Sequence, residues 1–134
     1  MKFTPELIFK DTNINKIRIN NADTTSIIKG VNIIKSLSKF DIGQSVVINN
    51  GYVLAIEGPE GTDETIKRSS HLLKKYRLKN KSILIKFPKA NQDLRVDLPT
   101  IGLDTIKNCI KANIKGIAIK RSQNIILDKN KIIN

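Results

Sequence analysis

Cysteine, tryptophan and acidic side chains are what this 134-residue chain has least of. A single cysteine, Cys109, excludes an internal disulfide and a cysteine-rich zinc site. With no Trp, two Tyr and four Phe there is little from which to build a base-stacking platform, which argues against sequence-tolerant single-strand binding. No apolar run approaches the roughly 18 residues of a membrane span. The opening Met1-Lys2-Phe3-Thr4-Pro5-Glu6 has no apolar core of a secretory signal, so a cytoplasmic protein is the expectation. Helix-turn-helix, zinc and P-loop signatures are also missing. Gly58-Pro59-Glu60-Gly61 has the spacing of a KH-type GxxG loop, but Pro and Glu stand where that loop needs its basic pair.

The shortage of acid is lopsided. Only 12 residues are Asp or Glu against 24 Lys and Arg, a formal charge of +12. Such a balance points to nucleic acid, anionic lipid or phosphate ligands. Yet 19 of the bases are Lys, and they rise together with 24 Ile and 14 Asn, which is what an AT-rich genome writes at tolerant positions. Charge alone therefore carries only a third-ranked reading, a basic nucleic-acid-binding protein. The placement of the acids says more. Six of the 12, Glu57, Glu60, Asp63, Glu64, Asp93 and Asp97, fall in two turn-rich stretches, where carboxylates are candidates for chemistry.

The period of the apolar residues predicts an α/β domain. Residues 1–22, rich in Asn and Lys without a clean period, read as an N-terminal arm or linker, and 23–134 as a single α/β domain. Ile27, Val31, Ile34 and Leu37 predict a helix over about 23–39, with Asp23 to Ser26 offering N-caps and Gly30 marking close packing. Val46 to Ile48 and Tyr52 to Ile56 flank Asn49-Asn50-Gly51, a strong hairpin signal. Thr62 or Asp63 can cap a helix reaching about residue 77, with Ile66, Leu73 and Tyr76 on its buried side. Ser82 to Phe87 is apolar enough for a central strand. Ile106, Cys109, Ile110 and Asn113 predict another helix, stopped by Gly116 in the left-handed conformation. Gly116 to Ile119 and Asn124 to Leu127 read as two last strands, and Asp128 as the start of a short helix. The sum is a mixed sheet of about five strands flanked by three or four helices.

Two constellations lie just after strands, where α/β sheets hold ligands. In the first, Glu57 ends a strand, glycines let backbone approach a ligand, and Thr62-Asp63 open a helix whose N–H groups suit phosphate oxygens. Carboxylates beside them would repel phosphate unless a divalent cation such as Mg²⁺ bridges the two. The bland alternative is a solvent-facing Glu57 and a capping Asp63. In the second, Lys86 to Thr100, the bases Lys86, Lys89 and Arg95 suit phosphoryl charge, and Asp97 suits a metal ion or a water-activating role. The bland alternative there is a solvated loop with local ion pairs. His71 reads as a surface residue and Cys109 as core.

Taken in order, Asp41-Ile42-Gly43-Gln44-Ser45-Val46-Val47, Ala55-Ile56-Glu57-Gly58-Pro59-Glu60-Gly61-Thr62-Asp63, Lys86-Phe87-Pro88-Lys89 and Gln92-Asp93-Leu94-Arg95-Val96-Asp97-Leu98-Pro99-Thr100-Ile101-Gly102 resemble one family. It is the C-terminal half of the LpxI-type UDP-2,3-diacylglucosamine pyrophosphatases of lipid A synthesis, matched over about residues 25–130. Gly116 to Ile119 and Ile126-Leu127-Asp128 fit its closing strands. The resemblance implies a Mg²⁺-dependent hydrolase that cleaves UDP-2,3-diacylglucosamine to UMP and 2,3-diacylglucosamine 1-phosphate. Its DLPTIG-type aspartate matches Asp97; the leading hypothesis built on it takes Asp97, Glu57 and Glu60 as catalytic groups, with Asp97, Asp63 and Asp93 toward the metal. Gln44, Thr62, Lys86, Lys89, Gln92, Arg95 and Thr100 would contact substrate or phosphate. The family's N-terminal domain has no counterpart here and its apolar C-terminal ending is cut short, so weak or no activity from this domain alone is the expectation. A second reading is a non-catalytic module that binds phosphate or a nucleotide-linked lipid. The implied partners are the acylated UDP-sugar and, through it, the inner face of the inner membrane. A homodimer or a separate N-terminal-domain partner stays open, and no specific nucleic acid is expected.

Overall fold

The computed structural model describes residues 5–9, 20–87, 100–120 and 125–126. Strand β1 (Pro5–Phe9) precedes helix α1 (Asn21–Ser38), and the hairpin strands β2 (Ser45–Asn49) and β3 (Tyr52–Ile56) follow. Then come α2 (Thr62–Lys75), β4 (Ser82–Lys86), β5 (Thr100–Ile101), α3 (Leu103–Lys111), β6 (Ile114–Lys120) and β7 (Ile125–Ile126). The fold is α/β, as the patterning implies. The main sheet runs β1-β6-β4-β2-β3, with β4 and β6 parallel and the other pairs antiparallel.

The two sheet faces have separate cores. On one, α1 lays Ile27, Val31 and Ile34 over Val46, Ile48, Ile83 and Ile85. On the other, Ile66 of α2 and Ile106 and Cys109 of α3 cover Val47, Leu84, Ile117 and Ile119. Each fully buried aliphatic side chain contributes about 1.5–3 kcal/mol. β2 and β4 are buried along their whole length, so β4 is central as its apolar run predicts. Gly30 is where α1 meets the sheet, because a Cβ there would stand 2.9 Å from the Ile85 side chain. The Asn-Gly hairpin forms, with Asn50 and Gly51 both at positive φ (48° and 92°), the twist that a two-residue turn between antiparallel strands requires.

Several expectations are corrected. Four of the five anticipated strands join the main sheet, but Ile125–Ile126 pairs instead with Thr100–Ile101 in a separate two-stranded sheet. The fifth place is taken by β1, from the segment read as an arm. Helix α1 is capped one turn earlier than Asp23 to Ser26: Asn20 accepts from the Asp23 N–H at 2.8 Å, and the Asp23 carboxylate accepts from the Asn20 N–H at 3.1 Å. This is a capping box, which places Asp23 inside the first turn. Helix α2 starts after Gly61 with no side-chain cap, since the Thr62 hydroxyl is engaged elsewhere. The left-handed stop after α3 is Asn113 (φ 56°), and Gly116 lies inside β6, opposite Phe9 and Ile83. Tyr76 is exposed rather than buried, just past the end of α2. His71 is exposed and Cys109 is core, its thiol pushed far above the usual range by burial first and by Asp63 second. The anticipated helix from Asp128 lies outside the described residues.

Candidate functional site

Three segments meet at one end of the sheet: the α1–β2 loop, the β3–α2 loop and the end of β4. The Phe87 N–H donates to the Gln44 carbonyl at 3.0 Å and the Glu57 N–H to the Ser45 carbonyl at 3.0 Å, tying the segments together. Gly43 makes the approach possible. It has φ +44°, and a Cβ on it would lie 2.2 Å from the Glu57 carbonyl oxygen.

Glu57 is buried, and its carboxylate is the hub. One oxygen accepts from the Gln44 backbone N–H at 2.8 Å. The other accepts from the Ser45 hydroxyl at 3.2 Å and from the Thr62 hydroxyl. Thr62 in turn accepts from the Lys86 Nζ at 3.0 Å, so one hydroxyl bridges a buried carboxylate and a buried ammonium. Burial lowers the Lys86 pKa, and Glu57 and Asp63 push it back up. Lys86 is directly opposite Ser45 in the β2–β4 ladder, which is why both reach the same place.

Helices α2 and α3 begin beside this cluster. The Thr105 hydroxyl donates to Asp63 Oδ1 at 2.8 Å, linking their first turns. Both helices have glycine N-caps, Gly61 and Gly102, and neither has a side-chain cap. Their first-turn N–H groups are thus left to other acceptors, the arrangement that receives anions. Asp63, Glu64 and Asp104 sit in the same turns.

A cleft of about 440 Å³ opens next to the hub, lined by Asp41 to Gln44 and Glu57 to Pro59. Gln44 and Glu57 are therefore on its wall, whereas Thr62 and Lys86 reach it through Glu57. Glu60 does not line it. Its carboxylate is held by Arg68 at 2.7 Å and Thr65 at 3.2 Å, with the Arg68 hydrogen bond the main cause of its lowered pKa. The same Arg68 guanidinium donates to the Ile56 carbonyl at 2.9 Å, so Glu60 serves to pin the loop. Lys89, Gln92, Asp93, Arg95 and Asp97 lie outside the described residues, and of Thr100 only the backbone in β5 is described.

The described acids do not by themselves fit a metal ion. No group of three or more His, Cys, Asp or Glu side chains among the described residues could hold one. Glu57 already accepts from three donors and Glu60 is ion-paired. Ser45 and Thr105 are members of the site that sequence reasoning did not single out, because a hydroxyl has no spacing signature. Ser45 would follow only from pairing it across the ladder with Lys86.

Fold and site together define an α/β domain with a buried Lys86–Thr62–Glu57 chain at one strand end. The model of the LpxI C-terminal domain matches residues 10–134, and the chain belongs to that family. Over 108 residues it is 36% identical to the UDP-2,3-diacylglucosamine pyrophosphatase LpxI of Caulobacter vibrioides. That match covers 78% of this chain and 39% of the relative, so the chain spans well under half of the relative's length. Among the described residues no helix is long and apolar enough to cross a membrane.

Proposed function

We propose that this chain cleaves the pyrophosphate of UDP-2,3-diacylglucosamine, the molecule in the relative's name, releasing UMP and 2,3-diacylglucosamine 1-phosphate in lipid A biosynthesis. The carrying observation is Lys86, held by Thr62 at the start of α2, a helix without a side-chain cap. Water adds to one phosphorus, the bridging P–O bond breaks, and the water's protons are shared between the two phosphate monoesters and solvent. Negative charge grows on the phosphoryl oxygens, and a preorganised ammonium with helix N–H groups stabilises it. Burial disfavours the Lys86 charge while Glu57 and Asp63 favour it, so the ammonium is already held in place by the site's own groups.

The loop after β4 completes the proposal. Lys89, Gln92, Arg95 and Thr100 contact phosphate, and Asp97 orients or deprotonates water. Mg²⁺ would be held by Asp63 together with Asp93 and Asp97, and would offset the acids of the helix starts and polarise the phosphoryl group. We propose further that activity is weak without the additional length that the relative possesses.

The test is UMP release from UDP-2,3-diacylglucosamine by the full chain, with Mg²⁺, with EDTA and with Asp97→Ala. Release that stops with EDTA and with Asp97→Ala supports the reading. Full activity of the Asp97→Ala protein would sink the role given to Asp97. UMP binding without turnover, measured by calorimetry, would favour the non-catalytic module.

A further inference from the structure

The two helical layers on the sheet differ in the charge of their outer faces. On α1 the exposed side chains are mostly neutral, Thr24, Thr25, Ile28, Asn32 and Ser36 among them, with Lys29 and Lys35 in between. Helices α2 and α3, which cover the other face and pack against each other, are different. Between Glu64 and Asp93 the chain has no acid. Exposed Lys67, Arg68, His71, Lys74 and Lys75 recur at three- and four-residue steps, so they form a single outer stripe of α2. Lys67 is paired with Glu64 and Arg68 with Glu60, both toward the end where the helix starts. Lys74 and Lys75 have no acidic partner among the described residues, and neither do Arg77, Lys79 and Lys81 in the exposed turn that follows. On α3 the exposed stripe is Lys107, Ile110 and Lys111, and its acid, Asp104, is again in the first turn. The layer is therefore basic over the half that lies away from the helix starts.

Lys74 and Lys75 complement the carbonyl end of α2, which accounts for those two. That effect fades within the last turn, so the three cations beyond it need another reason. A genome that favours lysine would scatter it over both layers alike. Two apolar side chains share the basic half. Tyr76 is 61% exposed, with the Lys75 Nζ 5.5 Å from its ring centroid, and Ile110 is 46% exposed. A phosphodiester backbone gains nothing from an exposed isoleucine, whereas the headgroup region of a bilayer accepts both an aliphatic group and an amphipathic tyrosine. We infer that the C-terminal half of the α2–α3 layer docks on an anionic phospholipid bilayer, with Lys74, Lys75, Arg77 and Lys79 against lipid phosphates and Tyr76 and Ile110 among the headgroups. Each cation near such a surface contributes about fivefold to binding, and the attraction is confined to a Debye length of about 8 Å at physiological salt. Docking is thus a property of this face alone, and it does not draw on the proposed reaction.

The test is cosedimentation of the full chain, at physiological salt, with sucrose-loaded vesicles of equal parts phosphatidylcholine and phosphatidylglycerol, and with vesicles of phosphatidylcholine alone. Lys74→Gln/Lys79→Gln removes two charges from the face, and Lys35→Gln/Lys39→Gln removes two from the α1 side as the control. Tyr76→Ser removes the ring. All five positions are exposed, and melting curves confirm that each variant is folded. The parent is expected to bind the mixed vesicles and not the zwitterionic ones. Lys74→Gln/Lys79→Gln should lower the partition coefficient about 25-fold, the control pair less than about twofold, and Tyr76→Ser several-fold. Equal binding to both vesicle types, no binding to the mixed vesicles, or equal losses in the two double variants would overturn the inference. So would a short DNA duplex that displaces the vesicles while Tyr76→Ser binds them as the parent does, which would make the face a nucleic-acid surface. UMP release can fail while vesicle binding stands, and vesicle binding can fail while UMP release stands, so the two readings separate.

Discussion

The two ends of the same pair of central strands are built on different plans. Asn49 and Ser82 form the last pair of the β2–β4 ladder at one end, and Ser45 and Lys86 at the other. At the Asn49 end the strand-end groups Asn49 and Ser82 are neutral and satisfy one another, and the buried acid there, Asp23, is used up in the α1 capping box and an ion pair with Lys115 at 2.5 Å. The Asn49 amide donates to the Lys79 carbonyl at 2.6 Å and to the Ser82 hydroxyl at 2.9 Å. The α1 start is there too, closed by its capping box, and the Ser26 hydroxyl accepts from the Gly51 N–H at 3.1 Å. At the Lys86 end two buried charges are bridged by one hydroxyl and two helices start without side-chain caps. A neutral, mutually satisfied cluster fastens loops. A charged one beside open helix starts is poorly explained by stability, because buried ions lose more hydration than their attraction restores. The proposed function puts the chemistry at the Lys86 end and leaves the Asn49 end as scaffold.

The sharpest way to break this contrast is to neutralise the charged end. Lys86→Met should lower UMP release by about 10²–10³-fold, the range for removing one preorganised donor to a developing oxyanion. The double variant Lys86→Met/Glu57→Gln, which discharges both partners, should melt at or above the parent temperature while staying inactive. Parent activity in either protein would show that the charges are structural. The neutral end predicts the reverse. Asn49→Ala should cost about 1–3 kcal/mol in denaturant unfolding through the groups it leaves unpaired, with UMP release per folded molecule unchanged.

A finer probe closes an open helix. Gly102 has extended backbone (φ −102°, ψ 177°), which serine also adopts, so Gly102→Ser can cap α3. It should raise stability by a few tenths of a kcal/mol and weaken UMP binding several-fold, seen by melting and calorimetry. Tighter UMP binding would contradict the open-start argument. The smallest effect belongs to Glu60. Its pKa is lowered by Arg68, so the unfolded chain binds the proton more readily and the stabilisation is complete above the ordinary value of 4.5. It is lost as pH falls from there through the lowered value. Glu60→Gln should flatten the melting temperature in that acidic window and leave it unchanged near neutrality.

What could be read from the chain and what could not divide along the range of the interactions. The α1 face, the Asn-Gly hairpin and the central β4 follow from local period and turn chemistry, and the structure repeats them within a few residues. The misses were settled by distant partners. β1 is an edge strand because β6 accepts it, and nothing within Pro5–Phe9 announces that. Thr62 looks like a helix cap, but its hydroxyl is turned to Glu57 and Lys86, where the site uses it. Gly116 looks like a helix stop, but Asn113 takes the left-handed position three residues sooner and β6 has already begun. Within the site, Glu57 and Lys86 were visible as charges at strand ends and Asp63 as one at a helix start. Ser45 and Thr105 were not, and the Glu60–Arg68 pair, eight residues apart in sequence, has no local signal either.

Arg68 and Lys29 have one more consequence. Among the described residues β3 is the last strand of its edge, and it shows Tyr52 and Val53 to solvent. Such an edge invites another strand to add and start a fibre. Here the carbonyls on either side of that exposed stretch, Gly51 and Ile56, are already occupied by a lysine and an arginine, and the ladder is interrupted by a bulge between Val47 and Ile48. Two cations therefore occupy acceptors at the margin where a further strand would have to pair, which makes β3 a poorer template for one.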